Sequence, residues 1–202
     1  GIQTLPNGFS ATMGVLFAVA AISIALFFWR QTRAPRPLVD LQAASAPSFW
    51  VAAVAGTITF GSLMGALFLG SQFTQNVLGY DALKAALVTL PMSLALMVVS
   101  PLAGKMVASK GSRFTLAIGL IVVAIGFVVM VVTWRSGAGI GVVLLAYAIV
   151  GGGVGICATP AAHALMASLP VSRAGMGSAF TDLTRDFGGA IMQAVMGTVL
   201  AI

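Results

Sequence analysis

What this sequence has least of is charge. Asp, Glu, Lys and Arg make up 7% of its 202 residues, against about 25% in a soluble domain. A soluble chain of this size needs a wetted surface however large its core, so the deficit excludes water as the solvent for most of it. With 59% hydrophobic residues and a mean hydropathy of +1.08, lipid takes that place. The lone cysteine, Cys157, lies in an apolar run, so it excludes an intrachain disulfide and leaves the redox compartment unread. One histidine and four acids are too few for a cluster of metal ligands. The motifs His-Glu-x-x-His and Gly-x-Ser-x-Gly are absent, as is a paired intramembrane aspartate in a protease-like context. No enzyme and no cofactor are therefore expected. Gly1–Ser10 lacks the Met and basic n-region of a signal peptide, and the chain is still apolar at Ile202. Both look like cut ends.

The formal net charge is +6. The basic residues sit between apolar runs, so membrane topology explains the excess and nucleic acid is not an expected partner. A helix needs about 20 apolar residues to cross a bilayer. Six segments approach that: 11–29, 49–70, 82–103, 114–134, 139–167 and 183–202. Open strands cannot satisfy their backbones in lipid, so all six are expected to be helices. The expected fold is an all-α, multi-pass membrane protein.

Arg30, Arg33, Arg36, Lys105, Lys110, Arg113 and Arg173 fall in alternate connections, while the opposite side holds Lys84 and Arg135. The richer side is cytoplasmic by the positive-inside rule. Both ends then lie outside, a further hint of a fragment. Arg33-Ala34-Pro35-Arg36-Pro37 is a Pro-rich linker that breaks the first span from the second. It divides residues 1–36, a span and its cytoplasmic loop, from a bundle over 37–202.

Within the spans, Pro91 and Pro160 each remove a helical hydrogen bond and predict kinks. Kinks suit a transporter that opens to alternate sides, and they also occur in rigid membrane proteins. Gly151, Gly152, Gly153 and Gly155, with Gly61 and Gly65, predict close helix packing; a cavity wall or sliding hinge is the other reading. His163 titrates near neutrality in principle, although a lone interfacial histidine is more often structural. Asp81 and Lys84 read as anchors at the outer surface. Tyr147, Phe60, Phe73 and Phe180 are candidates for an aromatic pocket, or simply for packed positions.

The last span is the most informative. Asp182, Arg185, Asp186, Gly189 and Gln193 share one helical face by their three- and four-residue spacing. A charge at the bilayer centre costs roughly 2.5–3.5 kcal/mol on insertion scales, so such a group faces water or protein and often carries protons or cations. The alternative places the charges at the cytoplasmic interface, with the aspartates complementing a helix N-terminus and Arg185 paired to one of them. Gln193, which carries the face inward, favours function.

These residues resemble a known family. Pro37-Leu38-Val39-Asp40-Leu41 looks like the entry to the final six spans of fourteen-span drug:proton antiporters of the major facilitator superfamily (EmrB/QacA type). Gln75-Asn76-Val77-Leu78-Gly79-Tyr80 followed by Lys84-Ala85-Ala86-Leu87 is similar to the family's outer loop and following helix. Ser100-Pro101-Leu102-Ala103-Gly104, with Lys110-Gly111-Ser112-Arg113, resembles the superfamily's cytoplasmic loop signature. Ala108-Ser109 stands where an acid is often found. Thr184-Arg185-Asp186-Phe187-Gly188-Gly189-Ala190 resembles the opening of the thirteenth span, where acids four apart are implicated in cation recognition or proton coupling; these map onto Asp182 and Asp186.

The resemblance implies spans eight to thirteen of a C-terminal portion, with the last bundle helix and the N-terminal half missing. It implies export of a small lipophilic or cationic compound in exchange for protons, through the bacterial inner (plasma) membrane. The proton gradient is the driving force, with no cofactor. Asp182 and Asp186 would alternate between proton and substrate cation, and Arg185 would supply the counter-charge. Transport of an anion or metabolite through Arg185, or a six-span module that does not transport, remain as alternatives.

Overall fold

The computed structural model describes Val15, residues 18–19, 21–23, 25–26 and 29–30, then 47–135, 138–167 and 174–200. The described part of the first expected span is helical, including Val15, Ile22 and Arg30. The linker at 33–37, the Pro37–Leu41 motif, the boundary at 36/37 and Arg173 lie outside the described residues.

Every described element is helical. Helix α1 (Pro47–Gln72) runs on into a π-helical turn, Phe73–Val77. Then follow α2 (Ala82–Val88), α3 (Leu90–Lys110), α4 (Ser112–Thr133), α5 (Ile140–Ala167) and α6 (Ala174–Leu200). A chain without water must satisfy its polar groups internally, and α1 shows how. The hydroxyls of Thr57, Thr59 and Ser62 donate back to the carbonyls of Ala53, Ala55 and Ile58 at 2.9, 2.7 and 2.7 Å.

Among the described residues, four stretches are long and apolar enough to cross a membrane: Phe49–Val77, Ala82–Lys110, Ser112–Thr133 and Ile140–Ala167. This is a multi-pass membrane protein. Helix α6 has 27 residues, about 40 Å of helix, yet it is not among the four. Asp182, Arg185, Asp186 and Gln193 interrupt its apolar run.

Two expectations change. Pro91 does not kink a continuous helix. It sits at the second position of α3, just past a break at Thr89 that separates α2 from α3. A proline here needs no backbone donor, so the helix restarts around it. Thr89 closes the joint through its hydroxyl, which donates to Ala86 O at 2.7 Å, and its N–H, which reaches the same oxygen at 3.1 Å. The last span also starts earlier than its hydropathy suggests: α6 begins at Ala174 rather than Leu183.

Helix α5 is the hub. Val143, Tyr147, Val150 and Val154 form a buried core with Ala66, Val88, Met92, Val123 and Met130. Glycines set the spacing. A Cβ on Gly151 would collide with the Met92 carbonyl, and one on Gly155 would lie 3.0 Å from Leu96 O, so α5 runs parallel to α3. Gly153 meets Val123 N at 2.7 Å, and Gly126 faces Val150, so α4 is antiparallel. Pro160 lies buried inside α5 without ending it, and the hydroxyl of Thr159, just before it, donates to Ser100 O on α3 at 3.5 Å. Helix α6 packs along α1 instead, with a lighter contact to α5. Gly56 faces Thr184, Gly61 faces Gly188 and Gly65 faces Met192, so this pair is parallel. These directions are those of a chain that reverses at every connection.

Candidate functional site

Helix α6 presents two faces that follow from its 3.6-residue period. Thr184, Gly188 and Met192, four apart, turn to α1. The crossing is closest at glycine: a Cβ on Gly61 would stand 3.0 Å from Gly188 O, and one on Gly188 would run into the Thr57 carbonyl. Beside this seam lie Asp182, Arg185, Asp186 and Gln193, all exposed.

The early start of α6 bears on one part of the interfacial reading, the capping of a helix N-terminus. Asp182 is eight residues past Ala174, about 12 Å along the axis, and Asp186 about 18 Å. A helix dipole favours anions only within the first turn. The aspartates therefore do not cap a helix N-terminus.

Arg185 is not paired with either aspartate, and no ion pair joins any of the three among the described residues. Its guanidinium lies instead over the Phe60 ring, 5.8 Å from the centroid. One turn along α1 from Phe60, Met64 Sδ accepts from Gln193 Nε2 at 3.9 Å. Phe60 and Met64 thus each meet one residue of the exposed α6 face, Arg185 and Gln193 respectively. Met64 gave no signal in the sequence, because a methionine in an apolar span reads as packing; only its place opposite Gln193 sets it apart.

The remaining candidates are scattered. Phe180 packs edge-to-face on Phe49, with centroids 4.9 Å apart, near the starts of α1 and α6. At the opposite end, Phe73 stacks on Trp134 at 4.8 Å and Trp134 tilts toward Tyr147 at 5.5 Å. The aromatics therefore form no single pocket. Tyr147 is fully buried over Gly70, and its hydroxyl has no hydrogen-bond partner among the described residues. A cavity of about 700 Å³ at this end is lined by Phe73, Trp134, Gln72 and Asn76 among others, and reaches Gly197 of α6, one turn past Gln193.

His163 is exposed, four residues before the end of α5. Asp81 caps α2, its carboxylate accepting from Lys84 N at 3.0 Å. In the loop signature, Lys110 ends α3 and Gly111 turns the chain with φ +86°, a conformation that favours glycine. Arg113 opens α4, while nothing lies within 4 Å of a Cβ on Gly104. Cys157 is buried, its thiol 3.6 Å from Leu116 O. Among the described residues no three His, Cys, Asp or Glu side chains come together as metal ligands.

Comparison with known proteins places this architecture. The chain is 36% identical over 188 residues to the multidrug resistance protein Stp of Mycobacterium tuberculosis, covering 93% of this chain and 34% of Stp. It is 32% identical over 197 residues to the multidrug efflux pump LfrA of Mycolicibacterium smegmatis, covering 96% of this chain and 38% of LfrA. The quinolone resistance protein NorB of Staphylococcus aureus is 25% identical over 188 residues, covering 93% of this chain and 40% of NorB. The chain thus spans little more than a third of the length of these relatives. The family model described as Major Facilitator Superfamily matches residues 7–192, and the chain belongs to that superfamily, whose members here are transporters and not enzymes.

Proposed function

We propose that this chain is the C-terminal portion of a fourteen-span drug:proton antiporter. It exports an amphipathic, cationic compound across the bacterial inner membrane in exchange for protons. The observation that carries this reading is the exposed face of Asp182, Arg185, Asp186 and Gln193, which begins about two turns inside α6 and runs to about five. Such charges are not left against hydrocarbon; they face a bundle interior or a water-filled cavity. An N-terminal half opposite this face would complete the cavity at the interface between halves, as in other repeat-built transporters. The names of Stp and LfrA support a drug as the cargo.

Six crossings, with residues 11–29 first and α6 last, suit the positions of the basic residues. Asp182 and Asp186 bind either a proton or the substrate cation. Phe60 offers a flat aromatic face beside them, which a planar cation contests with Arg185. Exclusive occupancy of the carboxylates is what couples the two flows.

The test uses the full-length parent in proteoliposomes, with ethidium movement driven by a pH gradient. Flux should collapse with the gradient, and Asp182→Asn or Asp186→Asn should each lower it on the order of tenfold. If both variants keep gradient-driven flux unchanged, the aspartates do not carry the coupling. The lack of a carboxylate partner for Arg185 among the described residues favours one second reading, an anionic substrate held by the guanidinium. In a substrate panel, flux of organic anions but not cations would select it.

A further inference from the structure

Lys105, Lys110 and Arg113 gather where α3 turns into α4, and all three are exposed. The turn is tight. Gly111 alone separates the two helices, and its N–H returns to Val107 O at 2.9 Å. None of the three cations makes an ion pair among the described residues. The sequence explains why: no acid occurs between Asp81 and Asp182. Asp81 caps α2, at the far end of α3, and Asp182 and Asp186 stand on α6, which packs along α1. The remaining acid, Asp40, follows Arg30, Arg33 and Arg36 in the sequence. Among the described residues the positive charge of this turn is uncompensated.

The turn also lies directly above a lipid-facing surface. Lys110 Nζ sits 5.1 Å from the centroid of the Phe114 ring. From Phe114 an exposed stripe continues through Ile121, Ile125, Val128 and Val132 down one face of α4. Helix α4 is the most apolar of the spans, with a mean hydropathy of 3.0 and 28% of its apolar window buried. Lys105 lies about 7 Å back along α3 from Lys110, within reach of the headgroup layer for a side chain that extends toward it.

We propose that this turn binds the headgroup of an anionic phospholipid of the cytoplasmic leaflet. Its phosphate lies among Lys105, Lys110 and Arg113, and an acyl chain lies along the Phe114–Val132 stripe. Juxtamembrane cations attract anionic lipid in proportion to their number. Here the attraction has a fixed framework, because a single glycine joins the helix ends that carry Lys110 and Arg113, with Lys105 further back on α3.

The experiment compares retention of phosphatidylglycerol and phosphatidylcholine by the full-length parent in native mass spectrometry from mixed micelles. The expected result is about a tenfold preference for phosphatidylglycerol. It should fall to about twofold or less in the triple variant K105Q/K110Q/R113Q. It should persist in K105R/K110R/R113K, which keeps the charge, and in K84Q/R135Q, which removes cations from the opposite end. Equal retention of the two lipids by the parent, or an undiminished preference in the triple Gln variant, would overturn the proposal. So would loss of the preference in K84Q/R135Q, which would mark a general effect of net charge. Competition by soluble glycerol phosphate as strong as by the lipid would remove the acyl chain from the site.

Discussion

Around α5, three helices close in on glycine. Met92 of α3 meets Gly151, Val123 of α4 meets Gly153, and α1 covers Tyr147 through Gly70. Helix α6 also crosses its neighbour on glycine, at Gly61 and Gly188, but along one seam, with its next face exposed and charged. The same device gives different results because of what flanks it. Apolar flanks on every side make α5 a fixed post. A charged flank leaves that side of α6 exposed. Close packing alone therefore does not mark function in this protein.

The sharpest way to break this contrast is at α5. Gly151→Val drives a branched side chain into the Met92 backbone, which no rotamer can avoid. Overpacking of this kind costs about 3 kcal/mol or more, and thermal unfolding in detergent should show loss of the folded bundle. Its neighbour is the internal control. A Cβ on Gly152 meets Val99 Cγ2 at 3.9 Å and nothing nearer, so Gly152→Ala should leave the unfolding midpoint unchanged. Equal damage at both positions would mean that the glycines serve helix flexibility rather than spacing.

At α6 the expected loss is in transport, not in folding. Asp182→Asn and Asp186→Asn should unfold like the parent while losing gradient-driven flux. Phe60→Leu keeps an apolar side chain but removes the aromatic face under Arg185. A cation–π contact is worth about 0.5–2 kcal/mol, so apparent affinity for a planar cation should fall by about two- to thirtyfold, read from the concentration dependence of efflux. An unchanged affinity would take Phe60 out of the site.

Two smaller effects test the post itself. Tyr147→Phe removes a buried hydroxyl with no partner among the described residues. An unsatisfied buried polar group costs about 1–3 kcal/mol, so this variant should be neutral or more stable, and destabilisation would reveal a partner for the hydroxyl. Thr159→Val deletes the long bond to Ser100 O. Interhelical hydrogen bonds in membranes average about 0.6 kcal/mol, and the unfolding midpoint should drop by a correspondingly small amount.

Much of the fold was legible along the chain. The starts and ends of α4 and α5 fall within two residues of the apolar runs at 114–134 and 139–167. The connection at Lys110–Arg113 was legible from the basic residues between two apolar runs. The start of α6 was not, because Ala174–Asp182 is small and polar enough to pass for a connection, yet it continues the helix for more than two turns. The break before Pro91 was misplaced because a proline inside an apolar run looks the same whether it bends one helix or begins another. Of the candidate site, the shared face of Asp182, Arg185, Asp186 and Gln193 follows from helical spacing. The position of Arg185 over Phe60 does not.

By itself the sequence determined that the chain lives in lipid, that its elements are helices and where its charges collect. These are local consequences of apolar run length and backbone hydrogen bonding. Only the tertiary structure decided which helices meet, in which direction, and which flank of α6 stays open. In a soluble helix the apolar stripe points at the core. In a membrane helix the lipid-facing side is as apolar as the buried one, so hydropathy carries no orientation. Gly151 and Gly152 are adjacent and identical in kind, and only the backbone of Met92 tells them apart.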